Sequence, residues 1–142
     1  MISEQRSWQR PSGLVLRAWV EGPEAPRGSV LLAHGGGQTR YAWGGTAQAL
    51  AAAGWLTVAL DLRGHGDSDW CPEGDYANEA FADDLIAIAK TLPQPCVAVG
   101  ASLGGIATMM AEGVQAPGTF SQVIFVDVTP RLEAEGGAGI VG

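Results

Sequence analysis

The stretch Val97-Ala98-Val99-Gly100-Ala101-Ser102-Leu103-Gly104-Gly105 decides how this chain is read. An apolar run ends in the pattern G-x-S-x-G, and Ile106, Met109, Met110 and Gly113 follow at helical spacing. A strand running through a tight turn into a helix, with serine at the apex, fits that pattern. Gly100 and Gly104 flank the serine by two positions, where side chains would collide as strand and helix cross. The turn pushes the Ser102 hydroxyl out at the carboxyl end of a sheet. The helix that follows offers backbone N–H groups and a favourable dipole to a developing oxyanion. In a chain with 21 glycines the motif alone is weak, and a tight turn with an incidental serine would also produce it. Its place between a buried strand and a helix gives it weight.

Working outward, the same alternation repeats. Residues 14–20 read as a strand and 22–28 as a turn-rich connection. Residues 29–33 form a short run that is wholly apolar after its first residue, typical of a parallel strand buried on both faces. Thr46 is placed to cap a helix that carries Ala47, Leu50 and Ala51 and stops at Gly54. Residues 55–60 are a further buried strand. Asn78 is placed to cap a helix in which Phe81, Leu85, Ile88 and Leu92 recur at helical spacing, and Pro93 stops it. Residues 96–100 make the strand before Ser102, 103–114 the helix after it, and 123–128 another apolar strand. The expected fold class is therefore α/β with a mostly parallel sheet. The strand at 123–128 has nothing after it in the chain to cover its outer edge, which complete domains usually protect. The sequence reads as though it stops before its fold does.

The loop His34-Gly35-Gly36-Gly37 follows a buried strand and belongs at the same carboxyl edge as Ser102. Its glycines leave backbone amides unshielded, and Gly36 is placed to join the Leu103 N–H in an oxyanion hole. A glycine-rich loop after a strand also cradles phosphates. Here, however, there is no G-x-G-x-x-G and no following Walker lysine. A serine nucleophile needs a general base, and in this architecture the histidine lies downstream of the serine. The only histidines, His34 and His65, lie upstream. Both are better read as ordering loop backbone than as the base. Asp83 and Asp84, near a helix start, read as surface charges that complement the helix dipole. Trp43 and Trp70 fall on loops at the carboxyl edge, to line a pocket or to pack.

The bulk numbers bound the rest. At 142 residues the chain suits one domain, and 46% apolar residues suffice for a core. Eight basic and 15 acidic residues give a net charge of −7, which favours neither nucleic acid nor an anionic membrane surface. Two cysteines, Cys71 and Cys96, are too few for a disulfide scaffold, and neither has a Cys or His at metal-ligand spacing. No metal and no cofactor is expected. The N-terminus, Met1-Ile2-Ser3-Glu4-Gln5-Arg6, is polar as a whole and opens no signal-peptide apolar region, and no segment has the apolar length of a membrane span. A cytoplasmic protein is the expectation.

Four motifs together carry a resemblance. They are His34-Gly35-Gly36-Gly37-Gln38-Thr39 with Trp43 beyond it, Asp61-Leu62-Arg63-Gly64-His65-Gly66-Asp67-Ser68, the turn at 100–105, and Asp127-Val128-Thr129-Pro130. From about residue 10 to 132 their order and spacing resemble the N-terminal portion of an α/β-hydrolase fold protein, from the broad group of serine esterases, perhydrolases and C–C bond hydrolases. The resemblance implies Ser102 as nucleophile, Gly36 and Leu103 as oxyanion donors, and a small acyl substrate. Serine at the turn argues against the dehalogenase and epoxide-hydrolase branches, which use aspartate there. Asp127 ends the strand after the elbow strand, where some members place the triad acid. As a loop-shaping residue with Thr129 and Pro130 it fits without that role, since a triad acid only orients a histidine. Family members continue for a similar length again, with a cap, further strands, the triad acid and a late histidine. Residues 1–132 are thus expected to be the front of a hydrolase core cut after about its sixth strand. The Gly/Ala-rich residues 133–142 would begin a cap or linker. The chain alone is expected to be inactive. The competing expectations are a non-catalytic binding protein of the same fold, and one half of a split hydrolase.

Overall fold

The computed structural model of the chain describes residues 1–126. They form strands β1 (Ile2–Gln9), β2 (Val15–Gly22), β3 (Ser29–Ala33), β4 (Leu56–Asp61), β5 (Cys96–Ala101) and β6 (Gln122–Val126), with helices α1 (Gly44–Ala52), α2 (Asn78–Ala89) and α3 (Leu103–Met110). The sheet order is β1-β2-β4-β3-β5-β6. The β1–β2 and β2–β4 pairs are antiparallel, and β3, β4, β5 and β6 run parallel.

Every residue of β3 and β4 is buried, which is why these strands read as continuous apolar runs. The chain leaves β3 through α1 to reach β4 on one side. It then returns through α2 past β3 to reach β5 on the other. Right-handed crossovers in opposite directions put their helices on opposite faces. On the α2–α3 face the core holds Leu16, Val20, Leu31, Val58, Leu60, Phe81, Leu85 and Ile88. On the α1 face Val30, Leu32, Trp43, Ala47, Ala59 and Val99 pack together. Trp43 therefore belongs to the core, whereas Trp70 is exposed.

Some local expectations are corrected. Strand β1 falls in a stretch whose polarity gave no strand signal. It is an edge strand held through its backbone to β2, with Trp8 Nε1–H donating to Thr91 Oγ1 (3.0 Å). Helix α1 starts at Gly44, so Thr46 lies inside it, and α2 starts at Asn78 after Ala77; neither has a side-chain cap. Helix α3 ends at Met110 and passes into a π-helical turn at Ala111–Gln115. Asp84 is no surface charge: it is buried, and its carboxylate accepts both Nε–H and Nη2–H of Arg63 (2.7 and 2.8 Å) and Nε–H of Arg10 (2.8 Å). Asp83 is exposed, as expected. Cys71 and Cys96 are buried, unpaired thiols. Among the described residues no helix is long and apolar enough to cross a membrane. Asp127 and the glycine- and alanine-rich end at 133–142 lie outside the described residues.

Candidate active site

The carboxyl ends of β3 and β5 meet where the two crossovers leave the sheet in opposite directions. A crevice opens at such a switch point in open α/β sheets, and both sequence-predicted loops arrive there. Ser102 stands between β5 and α3 with φ 53° and ψ −114°, the only described non-glycine residue with a positive φ. Its side chain is exposed. The turn is this tight because glycines permit it. A Cβ on Gly100 would collide with the Gly104 backbone, and one on Gly104 would collide with the Ala33 carbonyl. A Cβ on Gly105 would run into the Phe125 ring. The Gly104 N–H donates to the His34 carbonyl (3.1 Å), which bolts the head of α3 to the end of β3.

Residues 35–37 lie directly against that turn. A Cβ on Gly35 would sit 3.5 Å from Ser102 Cβ, and one on Gly36 would sit 3.7 Å from Leu103 Cδ2. Leu103 opens α3, and the first N–H groups of a helix have no intrahelical acceptor. The loop that carries Gly36 is thus brought beside Ser102 and Leu103. Gly36 is exposed and Gly35 is buried.

Both histidines are committed to backbone. The Leu62 N–H donates to Nε2 of His34 (3.0 Å), so the ring proton sits on Nδ1, 2.7 Å from the Gly35 carbonyl that accepts it. The Gly37 N–H donates to Nε2 of His65 (3.0 Å), and Nδ1 of that ring faces the Arg63 carbonyl at 3.0 Å. Burial pushes the His34 pKa below its ordinary value, and the neighbouring His65 adds to the effect. The Gly35 carbonyl and Asp61 oppose it.

Sequence reasoning passed over one cluster beside these loops. Asp61, fully buried at the end of β4, accepts the Arg40 N–H (2.6 Å) and the Asp67 N–H (3.0 Å) and pairs with the Arg40 guanidinium. Arg40 also reaches Asp67 (2.9 Å). The signal was available: an aspartate ending a wholly apolar run must be buried, and a buried carboxylate needs partners.

The family profile described as the alpha/beta hydrolase fold matches residues 28–134. An esterase of Mycobacterium tuberculosis is 36% identical over 110 residues, covering 77% of this chain and 35% of its own. A monoacylglycerol lipase of Mycolicibacterium smegmatis is 33% identical over 99% of this chain and 52% of its own. Among solved structures, the thioesterase domain from the curacin biosynthetic pathway superposes with a TM-score of 0.76 at 31% identity, over 89% of this chain and 46% of that one. The chain spans about a third to a half of the length of these relatives.

Proposed function

Because the chain belongs to the α/β-hydrolase fold family, we propose that it carries the nucleophile and oxyanion hole of a serine hydrolase acting on a small ester, thioester or related acyl substrate. The observation that carries this reading is the exposed Ser102 in a left-handed turn at the head of α3, with Gly36 seated beside Leu103. The Ser102 hydroxyl oxygen attacks the acyl carbonyl, and the carbonyl oxygen takes the negative charge. The Leu103 and Gly36 N–H groups stabilise that charge. Collapse expels the alcohol or thiol, and water then releases the acid from the acyl-serine. A base must take the serine proton and return it to the leaving group. With both ring nitrogens of His34 and of His65 facing backbone groups, that base comes from outside these 142 residues. The catalytic unit is complete only with a continuation of the polypeptide or a second chain. A cytoplasmic location is part of the same reading, supported by two unpaired buried thiols.

The test is ester turnover by the complete unit and by the 142-residue chain alone. In the complete unit Ser102→Ala is expected to lower kcat/KM by about four orders of magnitude or more. The chain alone is expected to give no turnover above buffer. If Ser102→Ala leaves the complete unit unchanged, Ser102 is not the nucleophile. If Ser102 also fails to react with a fluorophosphonate, the fold is being used for binding instead. Turnover by the chain alone that depends on Ser102 would place the base within it.

A further inference from the structure

Three glycines in succession at 35–37 have no side chains with which to fix themselves, and glycine backbone is the most costly to order. An oxyanion donor nevertheless has to be held to within about half an ångström of its productive position. The loop is tied on both sides of Gly36. On one side, the Gly35 carbonyl accepts the His34 Nδ1–H (2.7 Å) and the Gln38 N–H (3.1 Å), and the Gly35 N–H donates to Gln38 Oε1 (3.0 Å). On the other, the Gly37 N–H donates to His65 Nε2 (3.0 Å). His65 reaches across from the loop after β4, and its ring lies 5.1 Å from that of His34. Between the two tied residues the Gly36 N–H is left for a ligand.

We propose that His65 is the positioning residue of the oxyanion loop: its neutral imidazole holds the Gly37 amide and thereby sets the direction of the Gly36 N–H, with His34 fixing the opposite end. This rests on the assignment of Gly36 as an oxyanion donor. His65 touches no reacting atom and moves no proton in the reaction. Its contribution depends on the ring being neutral, because a proton on Nε2 would face the Gly37 N–H donor to donor. The charged group that acts on the His34 ring is Asp61, at the end of β4, which pairs with Arg40, itself bound to Asp67. The Arg63 side chain turns away to Asp84 and presents only its carbonyl to His65.

The experiment compares His65→Ala, His65→Gln and Ser102→Ala in the complete catalytic unit, with two readouts: hydrogen exchange at the Gly37 amide by NMR, and kcat against KM for a p-nitrophenyl ester. His65→Ala is expected to speed Gly37 exchange by ~10-fold or more. It should lower kcat about 10- to 100-fold with KM nearly unchanged, since a misdirected oxyanion donor weakens only the transition state. Glutamine places an acceptor where Nε2 stood and is expected to restore most of both. Unchanged Gly37 exchange in His65→Ala overturns the proposal, as does faster exchange with kcat intact, or an equal loss in the glutamine variant. Should His65→Ala not fold, the wild type decides. A nitrogen–nitrogen scalar coupling through the hydrogen bond must join its Gly37 N–H to His65 Nε2, and absence of that coupling overturns the proposal. Ser102→Ala separates the two readings. If it keeps its turnover the nucleophile assignment falls, while Gly37 exchange still reports whether His65 holds the loop.

Discussion

At the scale of single residues, Ser102 carries backbone strain. A side chain at φ 53° and ψ −114° sits in a backbone region disfavoured for every residue but glycine, at a cost of about 1–3 kcal/mol. Ser102→Gly removes that strain and adds about 0.5–1 kcal/mol of unfolded-chain entropy. Ser102→Ala keeps the strain. The glycine variant is therefore expected to be the more stable of the two by up to about 2 kcal/mol, read from urea midpoints; equal midpoints would mean the turn is unstrained. His34 gives a second prediction, with a sign fixed by its lowered pKa. An unfolded imidazole titrates near 6.5, the folded one lower, so between those values the unfolded chain binds more protons. The stability His34 contributes is complete above about pH 6.5 and is lost as pH falls through the folded value, at no more than about 1.4 kcal/mol per pH unit. Denaturant midpoints between pH 7.5 and 5 check it, and a profile flat over that range would contradict it.

At the scale of elements, the loop after β4 is fixed to its neighbours by buried charge. Asp84 on α2 holds Arg63 from that loop and Arg10 from the turn after β1. Removing one member of a buried ion cluster leaves the others desolvated and unpaired, which typically costs about 3–5 kcal/mol. Asp84→Ala is expected to fall in that range, and Asp83→Ala, one residue away and exposed, within about 0.5 kcal/mol. Chemical denaturation of the pair would settle it, and similar losses would show that Asp84 is not the anchor. This contrast marks what a sequence conceals. Strands β3, β4 and β5 were legible because buried parallel strands are unbroken apolar runs, and the turn at Ser102 because its glycines have one steric use. Asp84 was not, because Arg63 is 21 positions away and Arg10 is 74. Strand β1 was not, because an edge strand wetted on most of its surface needs no apolar pattern. The starts of α1 and α2 drifted from Thr46 and Asn78 because neither helix uses a side-chain cap. In the candidate site, Ser102, Leu103 and Gly36 could be placed from motifs. The hold of His65 on Gly37, across 28 residues, needed the fold.

At the scale of the whole molecule, the two margins of the sheet differ. The β1 margin is polar, with a side chain pattern dominated by exposed Ser, Glu and Gln. Among the described residues β6 forms the opposite margin, and there Ile124 and Phe125 are 41% and 49% exposed. Ile106 and Met109 on α3 are also exposed. Unpaired backbone groups beside exposed apolar side chains make a template for another strand. Net charge −7 opposes association in general, but charge repulsion acts over about a Debye length and weakens as salt is added. The 142-residue chain on its own is therefore expected to self-associate with rising concentration, more so at high ionic strength. Ile124 is the residue to change, because Phe125 also packs over Gly105 and its loss would disturb the Ser102 turn. A lysine at an exposed edge position repels a pairing strand while leaving the buried face untouched. Ile124→Lys should therefore shift the chain toward monomer in light scattering and sedimentation, with its urea midpoint within about 0.5 kcal/mol of the parent. Association that persists unchanged in Ile124→Lys would locate the contact elsewhere, and a monomeric parent at high salt would mean that this margin is already protected.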